Sequence, residues 1–143
     1  MATYHYINAL TKNMADGVHN LSTDQLKIAF SNTALTATNT KLSNVTQITA
    51  AHNYNAGGFN VTTSSSKTSG STYLLKLANY VFTASGGSVG PFQYIVLYNS
   101  ASSGTTNALL GWWDYGSALT LNDGETLTIQ FSATNGVIQI THA

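Results

Sequence analysis

The sequence predicts a mainly β protein: an antiparallel β-sandwich of seven or eight short strands with one N-terminal helix. The first observation behind this is alternation. Apolar and polar residues alternate with a period of two in segments such as Leu26-Lys27-Ile28-Ala29-Phe30 and Leu127–Phe131. The second is punctuation, with turn signals such as Asn122-Asp123-Gly124 and Asn135-Gly136 recurring between the runs. The third is that only one segment, residues 3–16, carries a good helical pattern.

In that segment Ile7, Leu10 and Met14 fall at i, i+3 and i+7 and share one helical face. Thr3 stands where a cap could start the helix, and Gly17 where a C-terminal cap belongs. Next comes a strand with Leu26, Ile28 and Phe30 on one face. Residues 31–56 are rich in Asn, Thr and Ala and predict a long excursion with one short helical turn around Leu42–Ile48. Gly57-Gly58 opens a polar strand, Phe59–Ser66, and Lys67–Ser71 reads as a turn. Tyr73–Leu77 and Tyr80–Thr83 read as two strands or one bent strand.

Ser85–Pro91 reads as a flexible break holding the single proline. Phe92–Tyr98 is apolar on both faces, which predicts a strand in mid-sheet. It forms an antiparallel hairpin with Ala108–Tyr115 across the small-residue loop Asn99–Asn107. Gly116-Ser117 ends that run, and Leu119 and Leu121 begin another alternation. Leu127, Ile129 and Phe131 share the face of a further strand, and Asn135-Gly136 predicts a hairpin joining it to Val137–Thr141.

The 143 residues fit one domain, residues 1–143, without an internal repeat. At 43% hydrophobic, with eight Tyr, five Phe and two Trp, the chain has material for a core. Its charge is unusual: five lysines, no arginine and five carboxylates make 7% charged residues, against about a quarter in an ordinary chain. Net charge is zero and no basic run occurs, so no nucleic-acid partner is expected. No apolar stretch approaches the roughly 20 residues of a membrane span, and the N-terminus lacks a signal-peptide pattern. The absence of cysteine excludes a disulfide framework.

No catalytic constellation emerges, and no enzyme, cofactor or metal is expected. His5, His19, His52 and His142 show no metal-ligand pair spacing. No G-x-S-x-G elbow occurs, and Gly86-Gly87…Gly90 lacks the Lys and Ser/Thr of a phosphate loop. Asp114, between Trp113 and Tyr115, is the one carboxylate in a distinctive setting, but a single carboxylate supports no hydrolysis scheme. The aromatics are the remaining signal. Tyr94 and Tyr98 share a face, as do Trp113 and Tyr115 on the adjacent strand. Tyr and Trp serve as interface anchors because each joins an apolar body to a polar tip, while core packing is the expected role of at least half of these. Trp112, Trp113 and Tyr115 could alternatively stack a glycan.

Several segments in order resemble a known group. These are Leu21–Phe30 after the N-terminal helix, Asn53–Gly58, Phe92–Asn99, Leu109–Gly116, Asp123–Ile129 and Asn135–Ile138. Together they resemble a widespread group of small virion structural proteins from tailed bacteriophages. The resemblance implies a β-sandwich on the phage head, assembled in the host cytoplasm, that acts as a capsid decoration (cement) protein. Its implied partner is the major capsid protein, and its implied state a homo-oligomer, with a trimer favoured. A head fibre or tail-associated adaptor is the rival. On this reading the N-terminal segment and the 31–56 excursion face the capsid, through Tyr4, Tyr6, Leu42, Val45 and Tyr54. Tyr94, Tyr98, Trp112, Trp113 and Tyr115 are the candidate interface aromatics. The loops Ser85–Gly90 and Ser100–Asn107 lie at an exposed or trimer-facing rim.

Overall fold

Alternation and β-branched or aromatic side chains produce ten strands in a computed structural model that describes residues 2–141. In chain order they are β1 (Thr3–Tyr6), β2 (Leu26–Ser31), β3 (Phe59–Asn60), β4 (Thr63–Ser69), β5 (Thr72–Leu77), β6 (Tyr80–Thr83), β7 (Val89–Asn99), β8 (Ala108–Leu121), β9 (Thr126–Ile129) and β10 (Ile138–Thr141). One short helix, α1 (Leu10–Ala15), and one 3-10 turn, Leu42–Asn44, complete the set. All strand pairings are antiparallel. The main sheet has the order β1-β8-β7-β2-β3, and two smaller sheets are ordered β10-β5-β4 and β6-β9.

The smaller sheets pack on one face of the main sheet. Phe30 of β2 meets Phe82 of β6 edge-on at 5.4 Å, and Trp113 of β8 meets Phe131 at 5.4 Å. Ile28, Phe30, Val96, Leu97, Leu75 and Ile138 are fully buried. The strongest sequence pattern, Leu26/Ile28/Phe30, thus lies at the centre of the core.

The 31–56 excursion lies on the main sheet rather than projecting from it. Ser31 stands at one end of that sheet, opposite Tyr94, and Ala108 at the other, opposite Asn99. From Ser31 the chain crosses to the far end, where the Asn8 amide donates to the Ala37 carbonyl and the Leu109 amide to the Thr40 carbonyl. It then returns, and the Ile48 amide donates to the Phe30 carbonyl. This diagonal covers the face bearing Ala29, Val96 and Trp112, which explains why the mid-sheet strand is apolar on both sides. The expected helical turn is present, at Leu42–Asn44 only.

Several boundaries differ from the sequence reading. The helix predicted over 3–16 is confined to Leu10–Ala15, because Thr3–Tyr6 pairs with β8, Tyr4 opposite Trp113. Thr3 therefore caps nothing, whereas Gly17 does follow the helix with φ +77°. The strand predicted over Phe59–Ser66 is split at Val61-Thr62, so that β3 and β4 serve different sheets. The turn after β4 tightens to Gly70-Ser71, with Ser69 opposite Thr72. Gly116-Ser117 does not end a strand. Phe92 pairs with Leu119 but Tyr94 with Asp114, so residues 115–118 bulge out of a continuous β8. Asn135-Gly136 is a turn but not a hairpin, since β9 pairs with β6 and β10 with β5. The physical reason lies on either side of it. The Phe131 amide donates to Asn79 Oδ1 and the Val137 amide to the Leu75 carbonyl, so the chain has already crossed toward β5.

Candidate functional site

Burial divides the residues singled out from sequence. Tyr98, Trp112, Leu42 and Tyr54 are core residues with no surface to offer a partner. Tyr4, Val45, Tyr94 and Trp113 are half-buried, and Tyr6 and Tyr115 are exposed. The resemblance places Tyr54 on a capsid-facing surface as part of the 31–56 excursion. Tyr54 is instead buried because its hydroxyl completes an open sheet edge, accepting from the Phe30 amide at 3.0 Å and donating to Gln47 Oε1 at 3.0 Å. Burial pushes its phenol up to about 12. Gln47 Oε1 also accepts from the Gly57 amide, and Tyr98 donates to the Gly57 carbonyl. These aromatics are therefore framework. The glycan-stacking trio is reduced to one well-exposed ring, Tyr115 on the β8 bulge.

Asp114 is half-buried and accepts from Gln93 Nε2 at 2.9 Å and the Gly116 amide at 2.8 Å. The Gln93 bond first, then the Gly116 bond and nearby His5, hold its carboxyl below the usual range. An ionised, hydrogen-bonded carboxylate is no proton donor near neutral pH. No cluster of three His, Asp or Glu side chains placed to hold a metal forms among the described residues.

The feature best built for contact is a seam at one side of the sandwich. There the edge strand β1 of the main sheet faces the edge strand β10 of the three-stranded sheet. Tyr6 bridges the two at one point, donating to the Val137 carbonyl at 3.1 Å. Three cavities adjoin through shared residues. One of about 480 Å³ includes Tyr4, Tyr6 and Trp113. The next, of about 680 Å³, lies between Tyr6, Leu10, Met14 and Ile140. The third, of about 470 Å³, reaches His19, Leu21 and Tyr73. Among the described residues no Lys, Asp or Glu lines any of them. The sequence offered no route to this seam, because Tyr6 and Val137 lie 131 positions apart.

At one end of the seam lies a buried polar cluster that the sequence reading did not connect. Asn99, fully buried, fixes its amide by accepting from the Ala101 amide at 2.9 Å. Its Nδ2 then donates to Asp24 Oδ2 at 2.7 Å and to His19 Nδ1 at 3.0 Å. His19 Nδ1 is thereby an acceptor, so the ring is neutral with its proton on Nε2. Burial lowers its pKa, opposed by the Asp24 carboxylate. A base whose folded pKa lies below its unfolded value of about 6.5 contributes stability that is whole above that pH. The contribution is lost as pH falls below it toward the folded value. The melting temperature is therefore expected to drop between pH 7.5 and 5.5, and His19→Gln to flatten that slope whatever its own baseline. Equal slopes in the two proteins would exclude His19 as the titrating group.

Comparison with protein-family models, with curated proteins and with solved structures returns no match to this chain.

Proposed function

We propose that this protein is a structural component of a tailed-bacteriophage particle, a capsid decoration protein that binds major capsid protein subunits and stabilises the head. The observation that carries this reading is a seam lined by no Lys, Asp or Glu among the described residues, set in a chain whose charged residues are only 7% of the total. A neutral surface suits a protein repeated many times over a shell, because close copies then repel one another little. It acts through buried area and shape, without turnover, and many copies add avidity. The ordered phage-like segments of the sequence support the same reading, and a trimer is the favoured state.

The rival reading is a head-fibre or tail-associated adaptor with a glycan-stacking surface. The bulge that presents Tyr115 favours it at a single residue. The deciding measurement adds purified protein to expanded capsids that lack it. Saturable co-sedimentation at a fixed number of copies per shell is expected. Absence of binding overturns the decoration reading, and a Trp or Tyr fluorescence response to glycans in its place favours the adaptor.

A further inference from the structure

The seam is incompletely covered in a specific way. Ile138 and Ile140 project to the same face of β10, since strand side chains alternate. Ile138 is fully buried, yet Ile140 is 43% exposed. The facing strand repeats the pattern: Tyr4 is half-buried while Tyr6, two residues on, is 44% exposed. Two core-directed apolar positions, one on each edge strand, therefore open into the same groove. Among the described residues only Val81 and Tyr115 are comparably large and exposed, and neither lines the three seam cavities.

We propose that the seam between β1 and β10 is a strand-addition site, which takes one extended, uncharged segment of another protein. The occupant follows from the walls. Among the described residues β10 is paired on one side only, by β5, and β1 on one side only, by β8, so both offer main-chain groups along their outer edges. The helix α1 flanks the groove through Leu10, Thr11, Met14 and Ala15, which favours one extended chain over a second flat sheet as the occupant. A single extended chain can enter. Among the described residues no charged side chain lines the groove, and this selects the sequence of that chain, since a charge carried in would lose water and find no counter-charge there. Alternate residues of the segment would place apolar side chains beside Ile140, Met14 and Tyr6, and the intervening ones would face solvent. The inference stands apart from the capsid reading, because it specifies the chemistry of the partner segment and not the particle it belongs to.

The test selects ligands from a ribosome-displayed library of random linear peptides against the intact protein. Enriched peptides are expected to be uncharged, with apolar residues at alternate positions. Their binding should weaken at least tenfold with Ile140→Lys and stay unchanged with Val81→Lys, an exposed position outside the seam. Hydrogen exchange on the unaltered protein gives an independent reading, with amides of β1 and β10 slowed by the bound peptide. The proposal is overturned if no peptide is enriched, if the enriched peptides are charged, or if protection appears elsewhere. It is also overturned if the protein alone forms a dimer that Ile140→Lys dissolves, which would make a second copy the occupant. Loss of capsid binding in the unaltered protein would leave the peptide result standing, so the two readings fail separately.

Discussion

Phe30→Ala is expected to remove about 3–5 kcal/mol of stability, the usual range for truncating a buried phenylalanine. Phe30 is fully buried at the meeting point of the layers. Its ring stacks on Phe92 at 4.3 Å and on Tyr54 at 5.2 Å. It meets Phe82 and Phe59 edge-on at 5.4 and 5.7 Å. These neighbours come from the excursion, β3, β6 and β7, so one truncation loosens both layers and the segment between them. Aromatic pairs contribute about 0.5–1.5 kcal/mol beyond their buried area, and four such contacts are lost together. The neighbours cannot close the gap cheaply, because Phe59 and Phe82 are themselves in contact at 4.9 Å. Set against a total of about 5–15 kcal/mol for a typical domain, the loss places the variant near the edge of folding. Urea denaturation gives the value, with Tyr115→Ala as the exposed-ring control, expected within about 0.5 kcal/mol of the unaltered protein. A cost below about 1 kcal/mol for Phe30→Ala would mean that the layers do not meet at this ring.

What was legible in the sequence was local. Leu26, Ile28 and Phe30 announce β2 because a sheet buried on one face needs a period of two, and Asn122-Asp123-Gly124 announces a turn through its own backbone chemistry. The errors arise where a distant segment decides. Ile7, Leu10 and Met14 have helical spacing, yet Ile7 precedes α1 and the residues before it follow β8, more than a hundred positions away. Asn135-Gly136 makes the turn it signals, but its partners are chosen by Leu75 and Asn79. Tyr54 belongs to the excursion assigned to the capsid face, and its burial follows from the Phe30 amide, which pairs with no strand among the described residues and donates to its hydroxyl. Of the five candidate interface aromatics, Tyr98 and Trp112 are buried, Tyr94 and Trp113 half-buried and Tyr115 exposed: residue type marks capacity for contact, and burial decides with what. Ile140, by contrast, was legible as a strand residue, while its exposure depends on β1 arriving from the other end of the chain.

Gly58→Ala is the second large effect, and its cause is backbone contact. Gly58 precedes β3 with φ +72°, and a Cβ there would lie 1.7 Å from the Ile28 carbonyl oxygen and 2.9 Å from Ala29 Cα. Both are main-chain atoms of β2 and cannot swing aside as a side chain would. Conformation alone accounts for about 1 kcal/mol, the cost of placing a Cβ in the left-handed region. Gly70→Ala isolates that share, since Gly70 has φ +63° and nothing within 4 Å of its Cβ position. Gly58→Ala adds the overlap, for about 2–4 kcal/mol in all. The added cost spreads along a defined path. Relieving the overlap moves residues 57–59 away from β2, which breaks the Ile28–Phe59 and Lys27–Asn60 pairings. It also shifts Gly57, whose amide and carbonyl hold Gln47 and Tyr98. Gln47 in turn positions the Tyr54 hydroxyl against the Phe30 amide. Gly58→Ala should therefore lose amide protection at Phe30 and Ile48 as well as at β3, whereas Gly70→Ala should leave those amides protected. Equal costs for the two variants, or loss of protection confined to β3, would show that the excursion is held to the sheet independently of this contact.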